Sequence, residues 1–114
     1  MSDSNKKIVS IVIPVFNGSQ TITKLVTECI NSFEEIFDLE IVLINDCSED
    51  NSHDVCLSIQ DRYPSTITFL SLSRNFGEHN AVMAGLHHAS GDFVVTLDDD
   101  GQNPPQEALN LINH

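Results

Sequence analysis

Apolar positions along this chain change their period in a regular alternation, and that alternation predicts its elements. Ile8-Val9-Ser10-Ile11-Val12-Ile13 is β-branched and nearly continuous, which predicts a strand covered on both faces and stopped by Pro14. The period then lengthens. Ile22, Leu25, Val26, Cys29, Ile30 and Phe33 fall at helical spacing with Thr, Lys, Glu and Asn opposite, the apolar face of an amphipathic helix. Ile41 to Ile44 reads as a second buried strand, Asn45 to Asn51 as a polar loop, and Val55, Cys56, Ile59 and Tyr63 as a shorter helical face closed by Pro64. Ile67 to Leu72 forms a third strand. Ala81, Val82, Met83, Ala84, Leu86 and Ala89 then suit a helix that packs closely through small residues and ends on Gly91 as its C-cap. A fourth strand, Asp92 to Leu97, leads into Asp98-Asp99-Asp100, and Asn103-Pro104-Pro105 marks the start of another helix.

The order βαβαβαβ, at about thirty residues per unit, predicts an α/β fold: a Rossmann-like parallel sheet with right-handed crossovers and helices on both faces. Ligands of such sheets bind beyond the carboxyl ends of the strands. The unusual residues of this chain sit there: Pro14-Val15-Phe16-Asn17-Gly18, Asn45-Asp46-Cys47-Ser48, Arg74-Asn75-Phe76-Gly77 and Asp98 to Gln102.

Charge narrows what those loops can hold. The chain has 114 residues with 17 Asp and Glu against 5 Lys and Arg, a formal charge of -12, which argues against nucleic acid as a partner. An anionic ligand therefore needs a cation beside it. In an extended chain Asp98 and Asp100 point to one side and Asp99 to the other. Two converging carboxylates and the amide oxygen of Gln102 are hard donors suited to Mg2+ or Mn2+ rather than zinc. Such an ion removes the repulsion and bridges the acids to a diphosphate. Asp46 reads equally as a ligand contact and as a turn or helix cap, with Ser48 and Asp50 favouring capping. Arg74 suits a surface ion pair or a phosphate, and His79 stands beside Gly77 at a helix start where phosphate can bind. His53, His87 and His88 fit surface or packing roles. Cys29, Cys47 and Cys56 show no pairing that implies a disulfide framework or a zinc site, which fits a reducing, cytoplasmic setting. The start MSDSNKK has no apolar core of a signal sequence, and no apolar run approaches the ~20 residues of a membrane span.

Three stretches, VSIVIPVFNGSQTI, LEIVLINDCSEDNS and LSRNFGEHNAVMAGLHHASGDFVVTLDDDGQNPPQE, resemble in order and separation the successive blocks of the family 2 inverting glycosyltransferases of GT-A fold. The last is most similar to the polyprenyl-phosphate branch, which includes dolichol-phosphate mannosyltransferase and undecaprenyl-phosphate sugar transferases. The resemblance runs from Val9 to Glu107. It implies that Pro14, Val15, Phe16 and Asn17 line the nucleoside pocket of a UDP- or GDP-sugar donor and that Asp46 accepts a hydrogen bond from the base. Arg74, Gly77, Asp98 and Asp99 complete the donor contacts, and Asp98, Asp100 and Gln102 hold Mn2+ or Mg2+. The acceptor it implies is a polyprenyl phosphate or a growing glycan, met at the cytoplasmic face of a membrane in envelope biogenesis.

Two residues depart from the family pattern: Gly18 replaces the usual acidic residue, and Cys47 stands where glycine normally makes a tight turn. The general base and acceptor motifs of the family lie downstream of this stretch. Residues 1–7 are therefore expected as a disordered tail and 8–114 as the donor-binding, N-terminal half of a GT-A domain. A sheet of this extent exposes apolar surface, so self-association into a homo-oligomer is expected. Two alternatives are a catalytically incomplete binding module and a Mg-binding receiver-type domain. The receiver needs a lysine at a late strand end, and none follows Lys24. No G-x-G-x-x-G follows the first strand, so a dinucleotide-binding domain is disfavoured.

Overall fold

The computed structural model describes residues 7–97. Their order is β1 (Ile8–Val15), α1 (Ile22–Phe33), β2 (Asp38–Asn45), α2 (Ser52–Arg62), β3 (Ile67–Ser71), α3 (Glu78–His88) and β4 (Phe93–Thr96). The strands form one sheet in the order β3-β2-β1-β4, and each adjacent pair is parallel. β1 is central because its run of β-branched residues can be covered on both faces at once.

Strand alternation divides the core into two layers. Val9, Ile11, Ile13 and Val15 of β1, with Ile41 and Leu43 of β2, meet α1 and α2 through Ile22, Leu25, Cys29, Phe33, Cys56 and Ile59. Val12, Val42 and Ile44 face the other way and meet Ala81 of α3. Helices therefore cover both faces, as the alternating pattern predicts. α1 has no acidic residue in its first turn and no basic residue in its last, so the helix dipole contributes little to it. What holds it is burial of Ile22, Leu25, Val26, Cys29, Ile30 and Phe33, the six residues that the helical spacing picks out, at about 1.5–3 kcal/mol for each large side chain.

α3 is held differently. Ala81 and Gly85 are its buried residues, and a Cβ on Gly85 would stand 2.5 Å from Cγ1 of Val12 and 2.6 Å from Cδ1 of Ile44. The helix backbone thus lies almost on the sheet. Met83 and Leu86, read from the sequence as part of the packed face, are exposed instead.

Several boundaries differ from the sequence reading. β1 does not stop at Pro14 but runs to Val15. The carbonyls of Ile8 and Val12 accept from Asp92 and Leu97, so alternate residues of β1 turn their hydrogen-bonding groups toward β4. Pro14 is next in that series, and the β1–β4 ladder ends at Val12 paired with Thr96, before a donor at position 14 is needed. β3 ends at Ser71 rather than Leu72, and β4 begins at Phe93 rather than Asp92.

Gly91 is not the cap of α3, since Ala89 fills that position in extended geometry. Glycine is needed at 91 because a Cβ there would lie 2.7 Å from the Ser10 nitrogen and 2.8 Å from the Ile8 carbonyl oxygen. The Gly91 N–H donates to Oγ of Ser10 at 2.8 Å, and that fully buried hydroxyl donates to Glu40 at 2.6 Å. Glu40 also accepts the N–H of Ser90 at 3.0 Å. The amino-terminal end of the sheet is locked in this way, opposite the end where the loops gather.

Candidate functional site

The first loop follows β1, the second follows β2 and the third follows β3, and all three emerge at the same sheet end because the strands are parallel. The register carries each strand end to the next: Val15 pairs with Asn45, and Asn45 with Ser71. Between these ends lies a cavity of about 260 Å³ lined by Pro14, Val15, Phe16, Asp46, Asn75, Gly77 and Glu78. It is smaller than the ~300–1,000 Å³ that encloses a whole small-molecule ligand, so it suits one portion of a larger one.

Asp46 sits at the base of the cavity. It is 3% exposed, and its two oxygens accept from consecutive backbone donors of the third loop, Phe76 N–H at 2.9 Å and Gly77 N–H at 3.1 Å. Its own N–H donates to the Val15 carbonyl at 2.8 Å, so one residue ties all three strand ends together. The reading of Asp46 as a helix cap is corrected here, because the N-cap of α2 is Asn51. The capping chemistry falls to Asp50, whose Oδ1 accepts from Ser52 N–H at 2.9 Å.

The loops are joined to one another as firmly as to the strands. Oδ1 of Asn17 accepts from Glu49 N–H at 2.8 Å and Asp50 N–H at 3.3 Å, and Asn17 N–H donates to Oγ of Ser48 at 2.9 Å. Gly18 N–H donates to the buried Oγ of Ser52, and the Ser19 hydroxyl donates to Asp50 at 2.8 Å. Among the described residues, no buried side-chain nitrogen or oxygen lacks a partner. The rim is already ordered by the protein's own hydrogen bonds.

Three residues take left-handed backbone to make these turns: Asn17 and Cys47 at φ 55 and Gly77 at φ 93. Asn tolerates that region well, whereas a left-handed residue with an ordinary side chain costs about 1–2 kcal/mol. The tight turn of the second loop is thus made at Cys47 without glycine. At Gly77 the requirement is conformational rather than steric, since a Cβ there would meet nothing within 4 Å.

Of the residues expected at a donor site, the fold brings Pro14, Val15, Phe16, Asp46 and Gly77 to the cavity. Asn17 and Arg74 are not among its lining. The Arg74 guanidinium lies 5.3 Å from the Phe76 ring centre, a cation–π distance. Asn75 and Glu78 also line it: Asn75 belongs to the loop singled out from the sequence but was not expected as a donor contact, and Glu78, the first residue of α3, was not singled out at all. His79, His87 and His88 are exposed on α3, and His53 stands 3.2 Å from the Ser71 hydroxyl and edge-on to Phe69.

Asp98, Asp99, Asp100 and Gln102 lie outside the described residues. Among the described residues no group of three His, Cys, Asp or Glu side chains could hold a metal ion. The set expected from the sequence, Asp98, Asp100 and Gln102, offers only oxygen donors, a chemistry that suits Mn2+ or Mg2+. β4, which leads into it, runs parallel to β1 with Leu97 N–H bonded to the Val12 carbonyl, so it points toward the cavity end of the sheet. No described helix is long and apolar enough to cross a membrane.

Comparison with known proteins agrees with this architecture. Residues 10–114 match the model of glycosyl transferase family 2. The chain is 40% identical over 111 residues to the undecaprenyl-phosphate 4-deoxy-4-formamido-L-arabinose transferase of Shewanella sediminis (strain HAW-EB3), covering 96% of this chain and 34% of that protein. Among solved structures it resembles the mannosyltransferase PcManGT of Pyrobaculum calidifontis in complex with GDP-Man and Mn2+, with a TM-score of 0.79 and 22% identity over 91% of this chain and 30% of that one. It also resembles S. aureus TarS 1-349 in complex with UDP-GlcNAc, with a TM-score of 0.72 and 25% identity over 92% of this chain and 30% of that one. These neighbours are GT-A glycosyltransferases, and the chain spans about a third of the length of the relatives it matches. With the family model covering nearly all of its residues, the chain belongs to glycosyl transferase family 2.

Proposed function

We propose that this chain forms the donor-binding part of a metal-dependent, inverting glycosyltransferase that takes a UDP- or GDP-sugar and passes the sugar to a polyprenyl phosphate. The observation that carries the reading is the cavity itself: a buried carboxylate, Asp46, faces a wall made by Pro14, Val15 and Phe16 at the carboxyl end of β1. A nucleoside suits such a place, its base edge offering an N–H to the carboxylate and its flat face lying on an aromatic ring. Two oxygens that each hold one backbone donor retain lone pairs for a further one. The structural relatives support the donor class, one in complex with GDP-Man and Mn2+ and another with UDP-GlcNAc. The relative named as an undecaprenyl-phosphate transferase supports a lipid-phosphate acceptor, which this proposal sets at the cytoplasmic face of a membrane.

Asp98, Asp100 and Gln102 would hold the ion, with Asp98 and Asp99 adding donor contacts and Arg74 close to the phosphates. Bound there, the ion would act as a Lewis acid on the diphosphate leaving group. The chain's own part is to seat the nucleoside, exclude water from the base and fix the diphosphate relative to the acids.

Calorimetric titration with UDP and with GDP, each in Mn2+ and in chelator, tests the reading. Binding of one nucleotide that requires Mn2+ and is lost in Asp98→Ala and Asp100→Ala is the expected result. Binding indifferent to the metal and to both substitutions would overturn it.

A further inference from the structure

We infer that Asn17 is a positioning residue, whose side-chain oxygen latches the second loop to the first and so shapes the donor pocket without touching the donor. The inference rests on the donor-binding reading above, but its geometry is independent of any ligand. Asn17 follows Phe16, which lines the cavity, yet is not part of the lining itself. Its backbone turns left-handed at φ 55, and its oxygen accepts from two consecutive N–H groups, those of Glu49 and Asp50. Two donors aimed at one atom identify that end of the amide as the oxygen.

The latch continues inward. Asn17 N–H donates to the Ser48 hydroxyl, which in turn donates to Oδ1 of Asn45, the last residue of β2 and the neighbour of Asp46. Asp46 then holds Phe76 and Gly77. Hydrogen bonds from Asn17 to Asn45, the Asn45–Asp46 peptide link and the bonds of Asp46 to the third loop thus join the first loop to the third, with Asn17 at the start of the path. Chemistry explains the residue type: the position needs a short side chain that accepts at its tip and tolerates left-handed backbone. Asn and Asp meet both demands, whereas Gly meets only the second.

The test compares Asn17→Asp, Asn17→Gly and the unchanged chain by two measurements: amide hydrogen exchange at Glu49 and Asp50 without ligand, and nucleotide affinity in Mn2+. The expected result is that affinity follows protection. Asn17→Gly loses protection at both amides and binds about tenfold more weakly, while a variant that keeps protection binds within about twofold of the unchanged chain. Two results would overturn the inference: Asn17→Gly with protection intact, or Asn17→Asp with both amides protected but binding lost, which would mark the amide as a direct donor contact. If the unchanged chain binds neither nucleotide, the donor reading falls, and the exchange data still decide whether Asn17 holds the loop.

Discussion

Asp50 carries the pH signature of the loop cluster. Its slight burial opposes ionisation, but the hydrogen bonds from Ser52 and Ser19 outweigh this and hold the carboxyl at about 2. An unfolded aspartate titrates near ~3.9, so between those values the unfolded chain binds more protons and stability rises with pH. The contribution is therefore fully present above about pH 4 and is lost as pH falls through about 2. Urea midpoints of the wild-type chain and of Asp50→Asn are expected to differ at neutral pH and to converge as the pH approaches 2. The capping role of Asp50 was legible from its place before a helix, whereas its bond to Ser19, thirty-one residues away, was not. Cys29 shows the opposite effect, with burial first and Glu28 second pushing its thiol up to about 12, so at neutral pH it serves as apolar filling.

At the scale of elements, the two close-packed glycines should respond differently to one added methyl. On Gly91 it would strike main-chain atoms of β1, the Ser10 nitrogen and the Ile8 oxygen, which cannot move without disturbing the ladder to β4. Gly91→Ala is expected to cost about 2–3 kcal/mol. On Gly85 the same methyl meets side-chain carbons of Val12 and Ile44, and alanine returns up to ~1 kcal/mol of helix propensity, so Gly85→Ala should cost less. Denaturant midpoints in that order, at unchanged m-value, are the check. Helical periodicity made α1 fully legible, because every residue at its apolar spacing is buried. It misjudged α3, where tight contact comes from Ala81 and Gly85 and leaves Met83 and Leu86 outside. A glycine has no hydropathy to register in a pattern, so backbone proximity is invisible to it.

At the scale of the whole molecule, charge and apolar exposure oppose each other. The net charge of -12 keeps copies apart, while Phe93 and Val94, 40% and 44% exposed, stand on β4, which among the described residues pairs with β1 alone. Raising the salt concentration screens the repulsion and is expected to promote self-association, and Val94→Lys should suppress it by placing a charge on the edge strand. Sedimentation velocity over a range of chain concentrations reads both effects. The amino-acid sequence by itself determined the order of elements, the parallel sheet and the sheet end at which the site lies, because alternation of two hydrophobic periods leaves little topological freedom. Only the tertiary structure decided that Asp46 closes on Phe76 and Gly77, that Asn17 faces Glu49 and Asp50, and that Asn75 and Glu78 enter the cavity. Those pairings join residues about thirty positions apart, and what brings them together is the register of neighbouring strands, which no local pattern encodes.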